Sequence, residues 1–165
     1  MSACLRFTRR VWQSFVEHKG HDSQCFPNLV IHDAKPGEVL VSLKVEQSNL
    51  NRVGVLHGGL ILSLTDTLGS LAVATKGHFM TGVSTDIGTS FIRPAGRVGD
   101  VLHAKAVLTA MGKSLAYTRV DFTNPAGDLV AYGYHTKYIG KSSSHHKNIR
   151  FSEDGEDVVE GDDVH

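Results

Sequence analysis

The chain has 165 residues, enough for one domain with a substantial core and too few for two ordinary domains. Apolar residues make up 41% of it, charged residues make up 21%, and the formal net charge is zero, so the composition gives no sign of a nucleic-acid partner. No apolar run approaches the ~18 residues that a membrane span requires. Cys4 and Cys25 could form one bridge but are too few for a disulfide framework, and a reducing compartment is the simpler interpretation.

The N-terminal segment supports two interpretations. Leu5, Trp12 and Phe15 recur at helical spacing, which predicts a first helix at about residues 5–18. Three arginines lie in the first ten residues and no acid precedes Glu17, which is also typical of a mitochondrial presequence. One segment can serve both purposes. The sequence therefore leaves a mitochondrial and a cytoplasmic location open, and we expect a protein that is not secreted.

The pattern of apolar residues then changes in a definite order along the chain. Between Val39 and Glu46 every second residue is apolar, which predicts a strand with one covered face. From Leu60 to Lys76 the period is helical. More strand-like runs follow, with turn residues between them. They are Val83–Arg93, Asp100–Ala110, Leu115–Thr123 and Leu129–Ile139.

These elements predict an α+β fold, a curved antiparallel sheet wrapped around one long central helix, over residues 1–140. The last four strands are joined by short connections, so we expect them to pair as antiparallel neighbours. Such a sheet has one apolar face to cover, and the long helix is the best candidate to cover it. Residues 141–165 differ in composition, with seven acids among the last thirteen residues. We expect a solvated tail without fixed structure there, because it can bury little apolar surface against its ordering entropy.

One face of the long helix is unusual because it is small and nearly free of charge. Between Leu60 and Thr75 the only charged residue is Asp66, and Ser70 and Val73 share its side, opposite the leucines. Solvated helix faces usually carry Lys, Glu and Arg, so we expect a second subunit to cover this one. A carboxylate there would be partly desolvated and is a functional candidate, unless it only bonds neighbouring backbone or hydroxyl groups.

Two further features flank that helix. Gly58 and Gly59 at its start either shape a tight loop or leave free N–H groups, which bind anions and polarised carbonyls. On the strand that follows, simple alternation places Ser84 and Asp86 on one face and Phe91 on the other.

Several familiar motifs are absent. Gly112-Lys113-Ser114 looks like the end of a phosphate-binding loop, but Val107 stands where that loop needs glycine and a strand follows instead of a helix. The turn can still touch an anionic ligand. The sequence has no Gly-x-Ser-x-Gly elbow, no GxGxxG after a strand and no metal-binding histidine pair before residue 141, so we expect neither a serine nucleophile nor a metal or other cofactor.

The spacing Asn51-x5-His57-Gly58-Gly59-x6-Asp66, followed by Ser84, resembles the hotdog-fold acyl-CoA thioesterases. The resemblance covers about residues 5–140 and is strongest to the branch of thioesterase superfamily member 2 and the bacterial phenylacetate-pathway thioesterases. It implies that Asp66 is the general base or nucleophile and that the Gly58 N–H polarises the thioester carbonyl. By the same resemblance Asn51 holds thioester and water, His57 orients the site, and Ser84 positions water or substrate.

The resemblance also implies contacts with substrate and CoA. They come from Gly59, Asp86, Phe91, Gly112, Lys113, Ser114, His135 and Lys137. Tyr138 stands where animal members carry histidine, which puts the CoA contacts in doubt more than the reaction. The family joins two sheets edge to edge, builds each active site from both subunits, and pairs dimers into tetramers.

The expected activity is hydrolysis of acyl-CoA, with medium or long acyl chains, to free acid and CoA. Two alternatives are an acyl-CoA-binding hotdog protein without catalysis and a hotdog dehydratase, in which His57 and Asp66 would form the catalytic pair.

Overall fold

The structure, a computed structural model, describes residues 1–163, and an antiparallel sheet with a long helix packed against it forms the centre of the molecule. The helices are α1 (Ala3–Glu17), α2 (His21–Cys25) and α3 (Gly58–Ala74), with a 3-10 turn at Gln47–Asn49. The sheet contains β1 (Val30–Lys35), β2 (Glu38–Lys44), β3 (Val83–Phe91), β4 (Val101–Met111), β5 (Leu115–Thr123) and β6 (Leu129–Tyr138). A small hairpin, β7 (Arg150–Phe151) and β8 (Val158–Glu160), follows. The predicted α+β fold is confirmed.

Helix α3 is buried against the sheet more completely than the sequence predicted. Four of its five leucines lie in the main core with residues of β2, β4 and β5. Ser70 and Val73, expected on the uncovered side, are also buried: Lys137 of β6 contacts Ser70, and Val73 packs with Ala116 and Ile139. The helix leaves exposed only Gly59, Leu62 and Asp66, with Gly58 and Ser63 half-buried. The chain itself therefore covers part of the face that we had assigned to a second subunit.

The strand order is β1-β2-β4-β5-β6-β3, which corrects the expected pairing of the last four strands in chain order. β4 pairs with β2, and β3 pairs with β6 at the far edge of the sheet. Residues 92–100 connect β3 to β4 and pass the start of α3, where Leu56 N–H donates to Gly96 O at 2.9 Å. Nine residues can span about 30 Å, which exceeds three strand spacings of about 4.8 Å. The short connection between β3 and β4 therefore did not show that these two strands are neighbours in the sheet.

The expectation that residues 141–165 lack fixed structure is wrong for 141–163; Val164 and His165 lie outside the described residues. The carbonyls of Gly155 and Glu156 accept hydrogen bonds from the N–H groups of Cys4 and Ala3, at 3.0 Å each, in the first turn of α1. These N–H groups have no partner within the helix, and carbonyl oxygens suit its positive end. The folded unit therefore continues well past residue 140.

Apolar contacts also attach this C-terminal segment, residues 141–163, to α1. The rings of Phe151 and Phe7 meet edge to face with centroids 5.7 Å apart, and Ile149 is buried in the main core. Arg6 forms an ion pair with Asp163 at 2.6 Å. The acidic composition of the segment gave no indication that Ile149 and Phe151 pack in the fold, or that one of its acids pairs with an arginine of α1.

Within residues 1–163, none of the helices is long and apolar enough to cross a membrane. Both cysteines are free, so the single bridge considered from the sequence is not formed.

Phe151→Ala tests the packing of the C-terminal segment. Loss of the ring from Phe7 is expected to lower the free energy of unfolding by about 2 kcal/mol. Urea denaturation followed by circular dichroism measures this. Glu153→Ala, an exposed change on the same segment, should leave the midpoint unchanged. Equal stability of Phe151→Ala and the unaltered protein would contradict the observed packing.

Candidate active site

Asp66 lies on the open flank of α3 with its side chain 54% exposed, and two polar groups from the sheet approach it. Its Oδ1 is 3.4 Å from Ser84 Oγ on β3 and 3.4 Å from His135 Nε2 on β6. Ser84 Oγ and His135 Nε2 are themselves 2.7 Å apart. The three side chains form one cluster, which we call the acid cluster.

A β-bulge brings Ser84 into this cluster. The register of β3 against β6 shifts between Ser84 and Asp86, so that Thr85 is an extra residue. Thr89 also faces α3, since its Oγ1 lies 3.3 Å from Thr65 Oγ1. Ser84 therefore shares a face with Thr89, and Asp86 falls on the opposite, outer face. Simple alternation had placed Ser84 and Asp86 together, and this part of the prediction was wrong.

His135 and Lys137 lie beneath Asp66 and are not exposed basic residues beside the Gly112–Ser114 turn. They occupy alternate inward positions of β6, where His135 is 0% and Lys137 is 3% exposed. Lys137 Nζ donates to Ser70 Oγ at 2.6 Å. Burial lowers the pKa of Lys137, while the carboxylates of Asp66 and Asp22 act in the opposite direction.

The imidazole of His135 is held neutral. Burial lowers its pKa to about 4, the charge of Lys137 acts in the same direction, and Asp66 opposes both. Its Nδ1 has no hydrogen-bond partner among residues 1–163 and packs against Gly69, where a Cβ would lie 2.6 Å from it. An unpaired acceptor costs less than an unpaired N–H, so we assign the proton to Nε2. His135 then donates to Ser84 Oγ, and the Ser84 hydroxyl donates to Asp66 Oδ1.

The start of α3 forms a second polar feature, which we call the helix entrance. His57 caps the helix, and its Nδ1 accepts from the Gly59 N–H at 2.8 Å. A Cβ at Gly59 would come 2.9 Å from that same Nδ1, so glycine is needed there. The Gly58 N–H has no assigned protein acceptor within the described part of the chain. Phe91 lies against Gly58, since a Cβ there would be 3.3 Å from its ring. A cavity of about 250 Å³ opens beside these two residues.

Asn51 shapes the loop that leads into the helix entrance. Its Oδ1 accepts from the N–H groups of Val53 at 3.0 Å and Val55 at 3.2 Å. Its backbone N–H donates to the Val55 carbonyl at 2.8 Å. The carboxamide oxygen is thus occupied within the loop, which leaves the NH₂ group of Asn51 to act as a donor.

The acid cluster and the helix entrance are separate within one chain. Asp66 and Gly58 are eight residues apart on α3, which corresponds to about 12 Å along the helix axis. A base and a carbonyl-polarising N–H must each lie about 3 Å from their reacting groups. One chain therefore holds two halves of a site that cannot act on the same thioester together.

A cleft of about 650 Å³ opens from the acid cluster toward α1 and α2. Asp66, Ser84 and Lys137 line it, and Asp22 enters from α2, accepting a hydrogen bond from the Thr67 hydroxyl. The sequence analysis missed Asp22 because an acid on a short polar helix gives no periodic signal. It also missed apolar lining residues that no motif marks. These are Phe15, Phe79, Met80 and Val83.

The exposed turn Gly112–Ser114 lies at the end of the sheet nearest the acid cluster. Ser114 O accepts from the Ile139 N–H at 2.8 Å, and Tyr138 pairs with both Leu115 and Val83. The structure thus brings this turn to the strand ends that carry Ser84 and Lys137. Among residues 1–163, no three His, Cys, Asp or Glu side chains are grouped so that they could hold a metal ion.

Comparisons with known proteins agree with this geometry. A family model described as Thioesterase superfamily matches residues 53–131. A protein of Schizosaccharomyces pombe is 43% identical over 137 residues, 82% of this chain and 84% of that protein. Human acyl-coenzyme A thioesterase 13 is 38% identical over 113 residues, 68% of this chain and 80% of that protein. The crystal structure of zebra fish thioesterase superfamily member 2 is similar with a TM-score of 0.76 and 30% identity, covering 85% of this chain and 99% of that one.

The sheet with its long helix and the similarity to these proteins define a hotdog-fold hydrolase of thioesters. The chain belongs to the thioesterase superfamily, which confirms the resemblance drawn from its sequence.

His135→Gln tests the neutral imidazole, which faces Asp66 of α3, Ser84 of β3, Lys137 of β6 and Thr118 of β5. Above pH 6.5 the ring is neutral in folded and unfolded chains alike; between 6.5 and about 4 only the unfolded chain takes up the proton. The contribution of His135 to the free energy of unfolding is therefore fully present above pH 6.5. About 3 kcal/mol of it is lost as the pH falls to about 4.

The measurement is urea unfolding of both proteins at a series of pH values. Other groups contribute equally to both, so the difference in slope belongs to His135. Parallel curves for His135→Gln and the unaltered protein would show that the ring titrates normally in the fold.

Proposed function

We propose that the protein hydrolyses acyl-CoA, with medium to long acyl chains, to free acid and CoA, and that Asp66 is the general base. The observation that carries the proposal is the acid cluster, in which a half-exposed carboxylate is oriented by the Ser84 hydroxyl at the floor of a cleft. The human relative is named an acyl-coenzyme A thioesterase, which supports CoA as the thiol. Both cysteines are free, which fits a reducing compartment, cytosol or mitochondrion.

The reaction follows from the two halves of the site. Asp66 accepts a proton from water as the water oxygen bonds to the carbonyl carbon. Negative charge then collects on the carbonyl oxygen, where the Gly58 N–H, at the positive end of α3, stabilises it. The C–S bond breaks next, and the thiolate of CoA takes the proton from Asp66. Ser84 keeps Asp66 Oδ1 engaged, which leaves the second carboxylate oxygen for the water.

Two subunits are needed to place these halves on one thioester. β3 is an edge strand, and its exposed apolar side chains, Val83 at one end and Phe91 at the other, favour pairing with another copy. Antiparallel pairing of two β3 strands places the Phe91 end of one beside the Ser84 end of the other. Because Phe91 lies against Gly58 and Ser84 lies against Asp66, this brings a helix entrance to each acid cluster. We propose a homodimer of this kind, with dimers pairing further into tetramers.

We assign the CoA contacts to the Gly112–Ser114 turn, where exposed Lys113 offers a positive charge to phosphate. Gly59 and Phe91 lie at the helix entrance, on the route of the substrate. His135 and Lys137 act instead by holding the acid cluster, and Asp86 faces away from it.

Asp66→Asn removes the proposed base and keeps the shape of the side chain. We expect kcat for acyl-CoA hydrolysis to fall by a factor of about 10²–10⁴, measured as release of free thiol. The oligomeric state by light scattering should not change. Asp121→Asn, a matched change on the outer face of β5, should keep full activity. Near-normal turnover by Asp66→Asn would refute the assignment of the base.

Gly58→Pro tests the shared site. Proline is well tolerated at the first residue of a helix and removes the N–H in question. It also adds a Cβ 3.3 Å from the Phe91 ring, so Gly58→Ala, which adds the same Cβ and keeps the N–H, is the steric control. Gly58→Pro should inactivate the enzyme, as Asp66→Asn does. When the two variants are co-expressed, half of the dimers are mixed, and one site in each mixed dimer is intact, so about a quarter of the activity should return.

The control for this experiment pairs Asp66→Asn with Ser84→Ala. Both changes lie in the acid cluster, so every site in their mixed dimer keeps one defect, and the mixture should not exceed the mean activity of the two variants alone. Failure of the Gly58→Pro mixture to recover activity, with mixed dimers demonstrated by differential tagging, would argue that one chain builds the whole site.

A further inference from the structure

The cleft that opens from the acid cluster has an apolar wall built from several parts of the chain. Phe15 comes from α1, Phe79 and Met80 come from the connection between α3 and β3, and Val83 begins β3. Met80 and Val83 are exposed and lie together in the lining of the cleft, and grouped exposed apolar side chains mark a place where an apolar ligand or a partner binds. Because Asp66 lines this cleft, one of the two groups on a thioester carbonyl held at Asp66 can extend into it.

An acyl chain fits these walls better than the pantetheine arm of CoA. The acyl chain is apolar throughout and matches the mainly apolar surface that the cleft exposes, although polar residues such as Ser14 and Thr81 also line it. The arm carries amides, which are costly to bury along the apolar part. The turn that we assign to the nucleotide, Gly112–Ser114, is absent from the lining of this cleft. The volume of about 650 Å³ lies in the range of small-molecule pockets.

The connection that carries Phe79 has no regular structure of its own, and the C-terminal segment holds it. Asn148 Oδ1 accepts from the Phe79 N–H at 3.0 Å, and the Ile149 N–H donates to Gly77 O at 3.0 Å. The rings of His145 and Phe79 stack with centroids 5.7 Å apart. Lys147 Nζ lies 4.8 Å from the centre of the Phe79 ring. Residues 145–149 therefore contact both the backbone and the ring of Phe79, which also packs edge to face on Phe7 of α1.

The same segment fixes the opposite wall. Gly155 and Glu156 bond to the first turn of α1, and Phe151 packs on Phe7, so the helix that carries Phe15 is braced from the same side. A single piece of chain thus holds both α1 and the Phe79 connection.

We propose that this cleft binds the acyl chain and that the C-terminal segment, residues 141–163, determines which chains fit by fixing Phe79. The proposal rests on the acyl-CoA hydrolase activity proposed above and adds the element that selects the acyl group. Short acyl groups stay near Asp66, while longer ones reach Phe79 and Met80 and gain from burial there.

The test compares kcat/KM across acyl-CoA substrates from two to sixteen carbons for Phe79→Ala and Asn148→Ala. Each methylene that loses its contact costs about 1–3 kcal/mol, so for Phe79→Ala the ratio of dodecanoyl to acetyl kcat/KM should fall by about tenfold or more. Asn148→Ala frees the same ring and should lower the ratio by about threefold or more. Glu153→Ala, on the same segment but exposed and remote from the cleft, should keep the original profile.

Melting temperatures of all variants separate loss of fold from loss of selectivity. The proposal would be overturned if Phe79→Ala lowered kcat/KM by one common factor for every chain length, so that the ratio of dodecanoyl to acetyl kcat/KM did not change. A second readout is the affinity of non-hydrolysable S-alkyl-CoA thioethers by calorimetry, which should rise with alkyl length and lose that rise in Phe79→Ala. Absence of thiol release by the unaltered protein would refute the proposed activity alone, because the thioether series still tests the cleft.

Discussion

The buried ammonium of Lys137 is the constraint on which the acid cluster depends. A cation removed from water costs several kcal/mol unless charges and hydrogen bonds compensate it. Here Ser70 Oγ accepts a hydrogen bond from Lys137 Nζ, and the carboxylates of Asp66 and Asp22 supply the opposite charge. The same Lys137 charge helps to keep His135 neutral, so that the imidazole serves as a hydrogen-bond donor and does not become a second cation. The arrangement of Ser70, Asp22 and His135 around Asp66 is therefore tied to the buried charge of Lys137.

This arrangement also meets two separate requirements on Asp66, its orientation and its accessibility. As the proposed base, Asp66 must be oriented toward its reacting group, and the Ser84 hydroxyl, which donates to Asp66 Oδ1, provides that orientation. It must also stay accessible, and α3 provides that because only its flank at Asp66 and its first turn escape the sheet. The positive end of the helix and its one carboxylate are thus the two open places on an otherwise covered element. They lie too far apart to meet on one thioester, which is why we propose that pairing along the free edge of β3 completes the site.

Periodicity in the sequence was sufficient to predict α1, α3 and β2 to β6, since each covers one face and repeats its apolar residues accordingly. It failed where the answer depended on distant partners. β1 was missed because His32 and Asp33 interrupt the alternation, and a bulge lies between Ile31 and Asp33. The position of β3 beside β6 depends on pairing across the whole sheet, which no local pattern encodes. The face of Ser84 depends on one bulge, which reverses the alternation of every residue before it.

β6 shows why the buried positions of His135 and Lys137 beneath Asp66 were also hard to predict. Tyr132, Tyr134 and Tyr138 point outward, while His135 and Lys137 point into the fold. A rule that places aromatic residues inside and basic residues outside assigns this strand the wrong face. Such inversion is costly for folding and survives where function requires it, so an inverted strand end is itself a signal of a site. The Asn-His-Gly-Gly-Asp spacing predicted the two ends of the proposed site on α3, but only the opposite strand reveals what orients Asp66. An alternation rule that scored polar and apolar faces separately would have singled out His135 and Lys137 as partners of Asp66.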